Sequence, residues 1–136
     1  PAVAVGGALR GGPAAFVRGA RARIGGPPPA VGVAGTITTL AAIELGAYDP
    51  ARVHGHRLAR ATVERIAGEL AALTAEERRR VPGLEPARAG VIVAGAVVAA
   101  VVLEEAGIDG MVVSERDLLD GVVLLAADPA SGLFRS

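Results

Sequence analysis

The pattern that most constrains this chain is a short apolar run, closed by a small residue and followed by a stretch of helical length, met three times. Residues 30–34 (Ala-Val-Gly-Val-Ala) read as a buried strand, Gly35-Thr36 turns the chain, and residues 37–45 have helical length with Gly46 placed to end them. Residues 91–95 (Val-Ile-Val-Ala-Gly) repeat the device as a buried strand ending at Gly95, before a helix through Glu105 that closes at Gly107. Set side by side, 31–35 and 91–95 look like two copies of one strand–glycine–helix unit. The third unit is Gly110-Met111-Val112-Val113 as a strand, Ser114 as an N-cap with Asp117 three residues on, and a helix from Arg116 or Asp117 to Ala127. Three strands each followed by a helix imply an α/β fold, a mixed and mainly parallel sheet with flanking helices. In such sheets ligands bind beyond the carboxyl ends of the strands, where Gly35, Gly95 and Ser114 would all lie.

Between these units, Tyr48-Asp49-Pro50 is a loop signal, and alternation over 52–58 predicts a strand with His54, His56 and Leu58 on one face. Residues 60–73 predict an amphipathic helix whose inner positions are Val63, Ile66, Ala67, Leu70 and Leu73. Thr74 with Glu77 forms a capping box opening a short helix that carries Arg78, Arg79 and Arg80, and Pro82-Gly83 stops it. Residues 1–29 stand apart as a basic segment with four arginines and no acid, whereas 30–136 hold 10 arginines against 14 acids. There, 1–5 suit a short strand, 14–24 have helical composition, and Gly25-Gly26-Pro27-Pro28-Pro29 breaks the chain. The basic stretch suits either attraction of a polyanion or a solvated terminal segment.

Composition excludes several classes of function. At 136 residues the chain is one domain or a piece of one, and its first residue is Pro1, as expected of a processed chain or a piece of something longer. Half of the residues are hydrophobic (51%), enough for a packed core. The only aromatics are Phe16, Tyr48 and Phe134, too few for a single-strand stacking platform, and the net charge is zero, so no nucleic-acid partner is expected. No cysteine and no lysine are present, which removes disulfides, thiolate metal sites, Schiff-base chemistry and a phosphate-loop lysine. The longest apolar run, 91–103, is shorter than the ~20 residues a spanning helix needs, and no signal peptide opens the chain, so a cytoplasmic, non-membrane location is the default expectation.

The best candidate for binding chemistry is Gly35-Thr36. A glycine lets backbone approach a phosphate, and helix-start N–H groups with the positive dipole end behind them favour an anion; Thr36 and Thr38 add hydroxyls. The same residues equally form an ordinary tight turn with an N-cap. His54 and His56, two apart on one strand face, would suit a metal, but no third ligand is evident and surface or packing roles account for them. Asp117 and Asp120 share a helix face. Asp117 suits helix-start stabilisation, and the i, i+3 spacing of the pair could also serve a metal or a general acid–base pair. Arg78, Arg79 and Arg80 read as a solvated helix end.

Taken in order, the motifs resemble the exopolyphosphatase / guanosine pentaphosphate phosphatase family. The resemblance starts at Gly32-Val33-Ala34-Gly35-Thr36-Ile37-Thr38-Thr39-Leu40 and passes through Tyr48-Asp49-Pro50, Arg52 to Leu58 and Thr74 to Arg80. It continues at Pro82-Gly83-Leu84-Glu85-Pro86-Ala87-Arg88 and Val91 to Gly95, and ends at Val112-Val113-Ser114 through Asp120-Gly121. It implies a ribonuclease-H-like domain of the actin, Hsp70 and sugar kinase superfamily, in a protein with two such domains around a cleft. Residues 30–136 would be the C-terminal part of the second domain, while 1–29 match poorly. The implied parent enzyme is a phosphoanhydride hydrolase that releases terminal phosphate from polyphosphate or guanosine pentaphosphate, with Mg2+ accompanying the phosphates. This chain would form one wall of the phosphate cleft, with Gly35, Thr36, Thr38, Gly95, Ser114 and Asp120 as substrate-binding residues and no catalytic or metal-ligating residue. A missing first domain would supply a phosphate loop and the catalytic glutamate. The second domain's own Asp-Gly-Gly-Gly-Ser loop has no match, since Val5-Gly6-Gly7-Ala8-Leu9 lacks its aspartate and serine. The family often carries two glycines before the threonine, where this chain has Ala34-Gly35. The alternative is a non-enzymatic α/β oligomerisation or interaction module. In either case a homo-oligomer is expected, because a half-cleft exposes apolar surface.

Overall fold

The computed structural model describes residues 15, 17–19, 22, 23 and 30–127. From residue 30 the elements are β1 (Val31–Gly32), α1 (Ala34–Leu45), α2 (Pro50–Val53), β2 (Arg57–Ala59), α3 (Arg60–Ala72) and α4 (Ala75–Arg78). A 3-10 turn (Pro86–Arg88), α5 (Ile92–Ala106), β3 (Gly110–Val113) and α6 (Leu118–Ala127) follow. Residues 15, 17–19, 22 and 23 are helical, and Arg18 pairs with Glu105 of α5. The strand expected at 1–5 and the break at 25–29 lie outside the described residues.

The sheet has the order β1-β3-β2. β1 and β3 run parallel with Val31 opposite Val112, and β2 is antiparallel to β3 with Leu58 opposite Met111. One face, Gly32, Leu58, Met111 and Val113, is buried, while Val31, Arg57, Ala59 and Val112 face away. On the buried face lie α1, α3 and α5, which contact one another and contribute Leu40, Val63, Ile66, Leu70, Ile92, Ala96 and Val97 to a single core. At ~1.5–3 kcal/mol for each fully buried aliphatic side chain, this three-helix layer is the main stabilising contact of the described chain.

Two sequence expectations fail here for the same reason. Residues 91–95 are not a strand: Val91 precedes α5, and Gly95 sits inside its first turns. A run of β-branched and small residues fits a buried strand or a buried helix equally, and length decides between them. The 91–103 run is helical in its burial, with Ile92, Ala96, Val97 and Val101 inside and Val91, Val98 and Val102 outside. The pairing of 31–35 with 91–95 as two copies of one unit therefore dissolves. The expected strand 52–58 also shrinks. Asp49 accepts from the Ala51 N–H and Pro50 sits at the start of α2, so 50–53 are helical. Gly55 at φ 81° then reverses the chain, and only Arg57–Ala59 joins the sheet, antiparallel. With one parallel and one antiparallel pairing, the sheet is mixed rather than mainly parallel.

Other boundaries agree closely with their local chemistry. Gly46 and Gly107 end α1 and α5 in the left-handed region, at φ 76° and 65°. The Thr74–Glu77 capping box is present, and the Thr74 backbone N–H holds the Glu77 carboxylate below the usual glutamate range. Ser114, by contrast, does not cap α6. The Asp117 carboxylate accepts from the Leu119 N–H, and Asp120 accepts from the Asp117 N–H at 2.8 Å, so the aspartates close the helix start between them.

Arg78 is not part of a solvated helix end. Its guanidinium donates to the carbonyls of Leu70 (2.7 Å), Leu73 (2.8 Å) and Ala89 (3.1 Å), closing the C-terminus of α3 and tying it to the entry of α5. Arg79 and Arg80 pair only with exposed Glu76. Arg78→Ala is therefore expected to cost about 2 kcal/mol in urea unfolding, as a set of hydrogen bonds from a charged group, whereas Arg79→Ala and Arg80→Ala stay within about 0.5 kcal/mol of the parent chain.

Candidate functional site

The parallel pair β1 and β3 sends its two carboxyl ends to the same edge of the sheet. There Ser114 donates its backbone N–H to the Gly32 carbonyl at 2.8 Å, which sets the residue after β3 beside the chain entering α1. α1 begins three residues earlier than expected, at Ala34, and Val33 precedes it without any side-chain cap. Ala34 adopts φ 69°, the left-handed region that costs an L-residue roughly 1–2 kcal/mol. A left-handed residue followed by a helical one turns successive backbone N–H groups to one side, a concavity suited to an anion. Ala34 stands where the resembling family often has glycine, so the departure costs conformational energy while the turn itself is kept.

A side chain on Gly35 would have to push the Arg88 guanidinium aside. A Cβ there would overlap the Arg88 guanidinium, with Cζ and Nη2 both at 2.7 Å. The 3-10 turn places Arg88 so that a full positive charge lies against the first turn of α1, where the helix dipole is also positive. Two positive poles in contact call for an anion. Within the described residues that anion is Glu85, whose carboxylate accepts from Arg88 Nε at 3.0 Å, and the Arg88 side chain stays 41% exposed. In the sequence Arg88 stands out only as the last residue of the Pro82–Arg88 motif, a lone arginine three residues after Glu85 and behind a Pro-Gly break.

The remaining candidates divide. Thr36 is within α1 and not its N-cap. Its side chain faces α5, where a Cβ on Gly95 would meet Thr36 Cγ2 at 2.7 Å and Oγ1 at 2.8 Å. Gly95 is thus a helix-crossing residue beside Thr36, and not the end of a strand. The Thr38 and Thr39 hydroxyls both donate to the Gly35 carbonyl, at 3.4 Å and 2.6 Å. The shorter bond from buried Thr39 satisfies that carbonyl and leaves Thr38 free to turn outward. Ser114 Oγ accepts from the Arg116 N–H and donates to the Arg116 carbonyl, holding the loop after β3 in a tight turn. Asp120 serves the start of α6.

The histidines do not share a face. His54 Nδ1 accepts from the Glu115 N–H at 3.2 Å, while His56 Nε2 lies 2.8 Å from Glu44, which also accepts from Thr62. The Gly55 turn separates them, and no group of three or more metal-ligating side chains lies among the described residues. Tyr48 donates to Glu115 at 3.1 Å, a bond that holds its phenol pKa above the ordinary value because ionisation would give up the donated proton. Beside these residues a cavity of about 710 Å³ opens between α1 and the 83–88 segment, reaching from Arg88 and Thr38 to Gly46 and Tyr48.

A small mixed sheet under three helices, with an anion-ready helix start at its edge, is the frame the comparisons meet. The Ppx/GppA phosphatase family model matches residues 9–128, and the chain belongs to that family. The match begins inside the basic segment 1–29. Exopolyphosphatase 2 of Mycobacterium tuberculosis is 41% identical over 103 residues, covering 71% of this chain and 32% of that protein. The crystal structure of an Aquifex aeolicus Ppx/GppA phosphatase aligns with a TM-score of 0.70 at 33% identity, over 82% of this chain and 38% of the other. An exopolyphosphatase from Cytophaga hutchinsonii shares the fold at a TM-score of 0.71 with 21% identity. The chain thus spans about a third of the curated relatives it matches (32%). No helix among the described residues is long and apolar enough to cross a membrane.

Ala34→Gly is expected to stabilise the chain by about 1 kcal/mol in thermal or urea unfolding, because glycine adopts φ 69° without steric cost. Gly95→Ala is expected to destabilise by about 1–3 kcal/mol, since the added methyl must displace Thr36.

Proposed function

We propose that this chain is one wall of the phosphate cleft of an exopolyphosphatase-type phosphohydrolase, whose substrate is polyphosphate or guanosine pentaphosphate. The observation that carries the reading is the contact of the Arg88 guanidinium with Gly35 at the first turn of α1. A terminal phosphate would take backbone N–H groups from that turn and a bidentate contact from Arg88, which exchanges Glu85 for it. Thr38 would add a hydroxyl, Thr36 and Gly95 hold the turn in place, and Ser114 shapes the rim. Asp120 acts one step away, by fixing the loop that follows Ser114.

In this reading residues 30–136 are the C-terminal part of a second ribonuclease-H-like domain, and a first domain across the cleft supplies the glutamate that orients the attacking water. No group of three or more metal-ligating side chains lies among the described residues, so magnesium would be held chiefly by phosphate oxygens. Phosphoryl transfer needs several charge-stabilising parts at once, so the isolated chain is expected to release no phosphate from either substrate above a buffer blank.

The reading is tested by titrating the chain with inorganic phosphate and following backbone amides. Shifts are expected at Gly35 and Thr36. Arg88→Ala should weaken them about ten-fold, as loss of a charge-assisted contact, while Thr36→Ala lowers stability by about 1 kcal/mol with little change in anion response. Shifts confined to the arginines of 10–23 would overturn it.

A second reading, association with a copy of itself, is favoured by the outer surface. α6 presents Leu119 (72% exposed) and Val123 (65% exposed), and the sheet presents Val31 and Val112. Light scattering is expected to show a dimer or larger species that Leu119→Glu with Val123→Glu shifts toward monomer. A clean monomer at high concentration would count against this.

A further inference from the structure

Two Asp-Gly pairs occur in the chain, Asp109-Gly110 and Asp120-Gly121, and the fold treats them differently. Asp109 lies in the bend between the left-handed stop of α5 at Gly107 and the start of β3. Its side chain is 92% exposed, and its ion-pair partner, Arg60 Nη2, stays 3.9 Å away. Gly110 opens β3 opposite Ala59. A Cβ on Gly110 would stand 2.9 Å from the Leu58 carbonyl oxygen, so the close approach of β2 calls for glycine here. The Arg60 N–H donates to the Asp109 carbonyl and the Val113 N–H to the His56 carbonyl, which turns residues 109, 111 and 113 toward β2. By the alternation of an antiparallel ladder, the Gly110 N–H points away from β2. An exposed carboxyl thus stands beside a main-chain nitrogen that no side chain shields. Asp120-Gly121 is the opposite case, inside α6. There the Gly121 N–H donates to the Asp117 carbonyl at 3.2 Å, and the Asp120 carboxylate accepts from the Asp117 N–H at 2.8 Å. Both reacting groups are engaged elsewhere.

We infer that Asp109 is a site of spontaneous backbone isomerisation. The Gly110 nitrogen attacks Cγ of Asp109 in its carboxylic acid form. The new N–Cγ bond closes a succinimide ring, and the carboxyl hydroxyl leaves with the amide hydrogen as water. Water then reopens the ring. Attack at Cγ breaks the new bond and restores aspartate. Attack at the main-chain carbonyl carbon breaks its bond to nitrogen and leaves isoaspartate, with the chain running through Cβ and Cγ, and no atom is gained or lost overall. The product has an additional methylene in the main chain between α5 and β3, and the Asp109 carbonyl that accepts from the Arg60 N–H becomes a free carboxylate. The change falls on the pairing of β2 with β3 and stands apart from the phosphate reading above.

The test incubates the full 136-residue chain in warm, mildly acidic buffer, native and in urea, before tryptic digestion and mass spectrometry. Cleavage after arginine separates the two pairs, with Asp109 on peptide 89–116 and Asp120 on peptide 117–135. In the native chain, 89–116 is expected to accumulate an isomer of unchanged mass and shifted retention, identified as isoaspartate by electron-transfer fragmentation. It should do so at least about ten-fold faster than 117–135, whose site must first open from a helix. In urea the two peptides should isomerise at similar rates. Asp109→Glu should abolish the isomer, because its longer side chain closes a ring far more slowly. Asp109→Asn should speed the reaction through the same succinimide, the peptide gaining the mass difference between an amide and an acid. A native 89–116 peptide that stays unchanged, or a native 117–135 peptide that isomerises as fast, overturns the inference.

Discussion

The site depends on α1 being gripped where its neighbours have no Cβ. A side chain on Gly95 would strike Thr36, one on Gly32 would strike Ile37 at 2.6 Å, and one on Gly83 would run into the Ala42 backbone. Each contact fixes a different part of the same helix: α5 holds its first turns, β1 its inner face, and the 83–88 segment its later half. Close packing of this kind has little give, so small displacements are resisted. The first turn of α1 therefore has one position relative to Arg88 and Ser114, which is what an anion site of fixed geometry requires.

Electrostatics explains why that position is suited to exchange rather than to permanent pairing. Arg88 and Glu85 are both substantially exposed, and an exposed pair of this kind contributes at most ~1 kcal/mol. A phosphate at the Gly35 turn offers Arg88 more negative charge and a bidentate partner, together with the helix pole that Glu85 does not use. In the proposed site the arginine would thus be kept oriented by a weak partner, Glu85, that a phosphate would displace. Arg78 shows the contrast: its three bonds go to backbone carbonyls, and its role in the described chain is structural.

Much of this was legible in the residues, though unevenly. Local chemistry marked the ends: Gly46 and Gly107 as left-handed stops, Thr74 with Glu77 as a capping box, and Gly110–Val113 as a strand. What failed were segments whose fate is set by tertiary partners. Val91 to Ala94 are as apolar as a strand, yet continuous with twelve more helical residues after Ala94 up to Ala106. Residues 52–58 alternate, yet Asp49 and Pro50 start a helical turn that takes Arg52 and Val53, and the chain reversal at Gly55 leaves only Arg57 and Leu58 of them in the sheet. Within the site, Gly35 and Ser114 were placed correctly at strand ends because β1 and β3 do run parallel. Gly95 was placed there for a wrong reason, although it touches Thr36 all the same. Arg88 carried no periodic or spacing signal strong enough to single it out, because its partner is 53 residues away along the chain at Gly35.

The far end of the cavity is tied through Glu115 to the loop after β3, which makes that loop part of the same unit. Its carboxylate accepts from Tyr48, at the far end of α1, and its N–H donates to His54, at the end of α2. Its other oxygen, Oε1, is buried without a hydrogen-bond partner among the described residues, an arrangement that costs energy and persists only when neighbouring contacts hold it. Among the described residues, the loop that carries it is held by the Ser114 hydroxyl on the Arg116 backbone and by the Glu115 bonds to Tyr48 and His54. Tyr48, His54 and the residues after β3 thus form one connected frame at the far end of the cavity, so loss of the Tyr48 hydroxyl would loosen the loop as well as the ring.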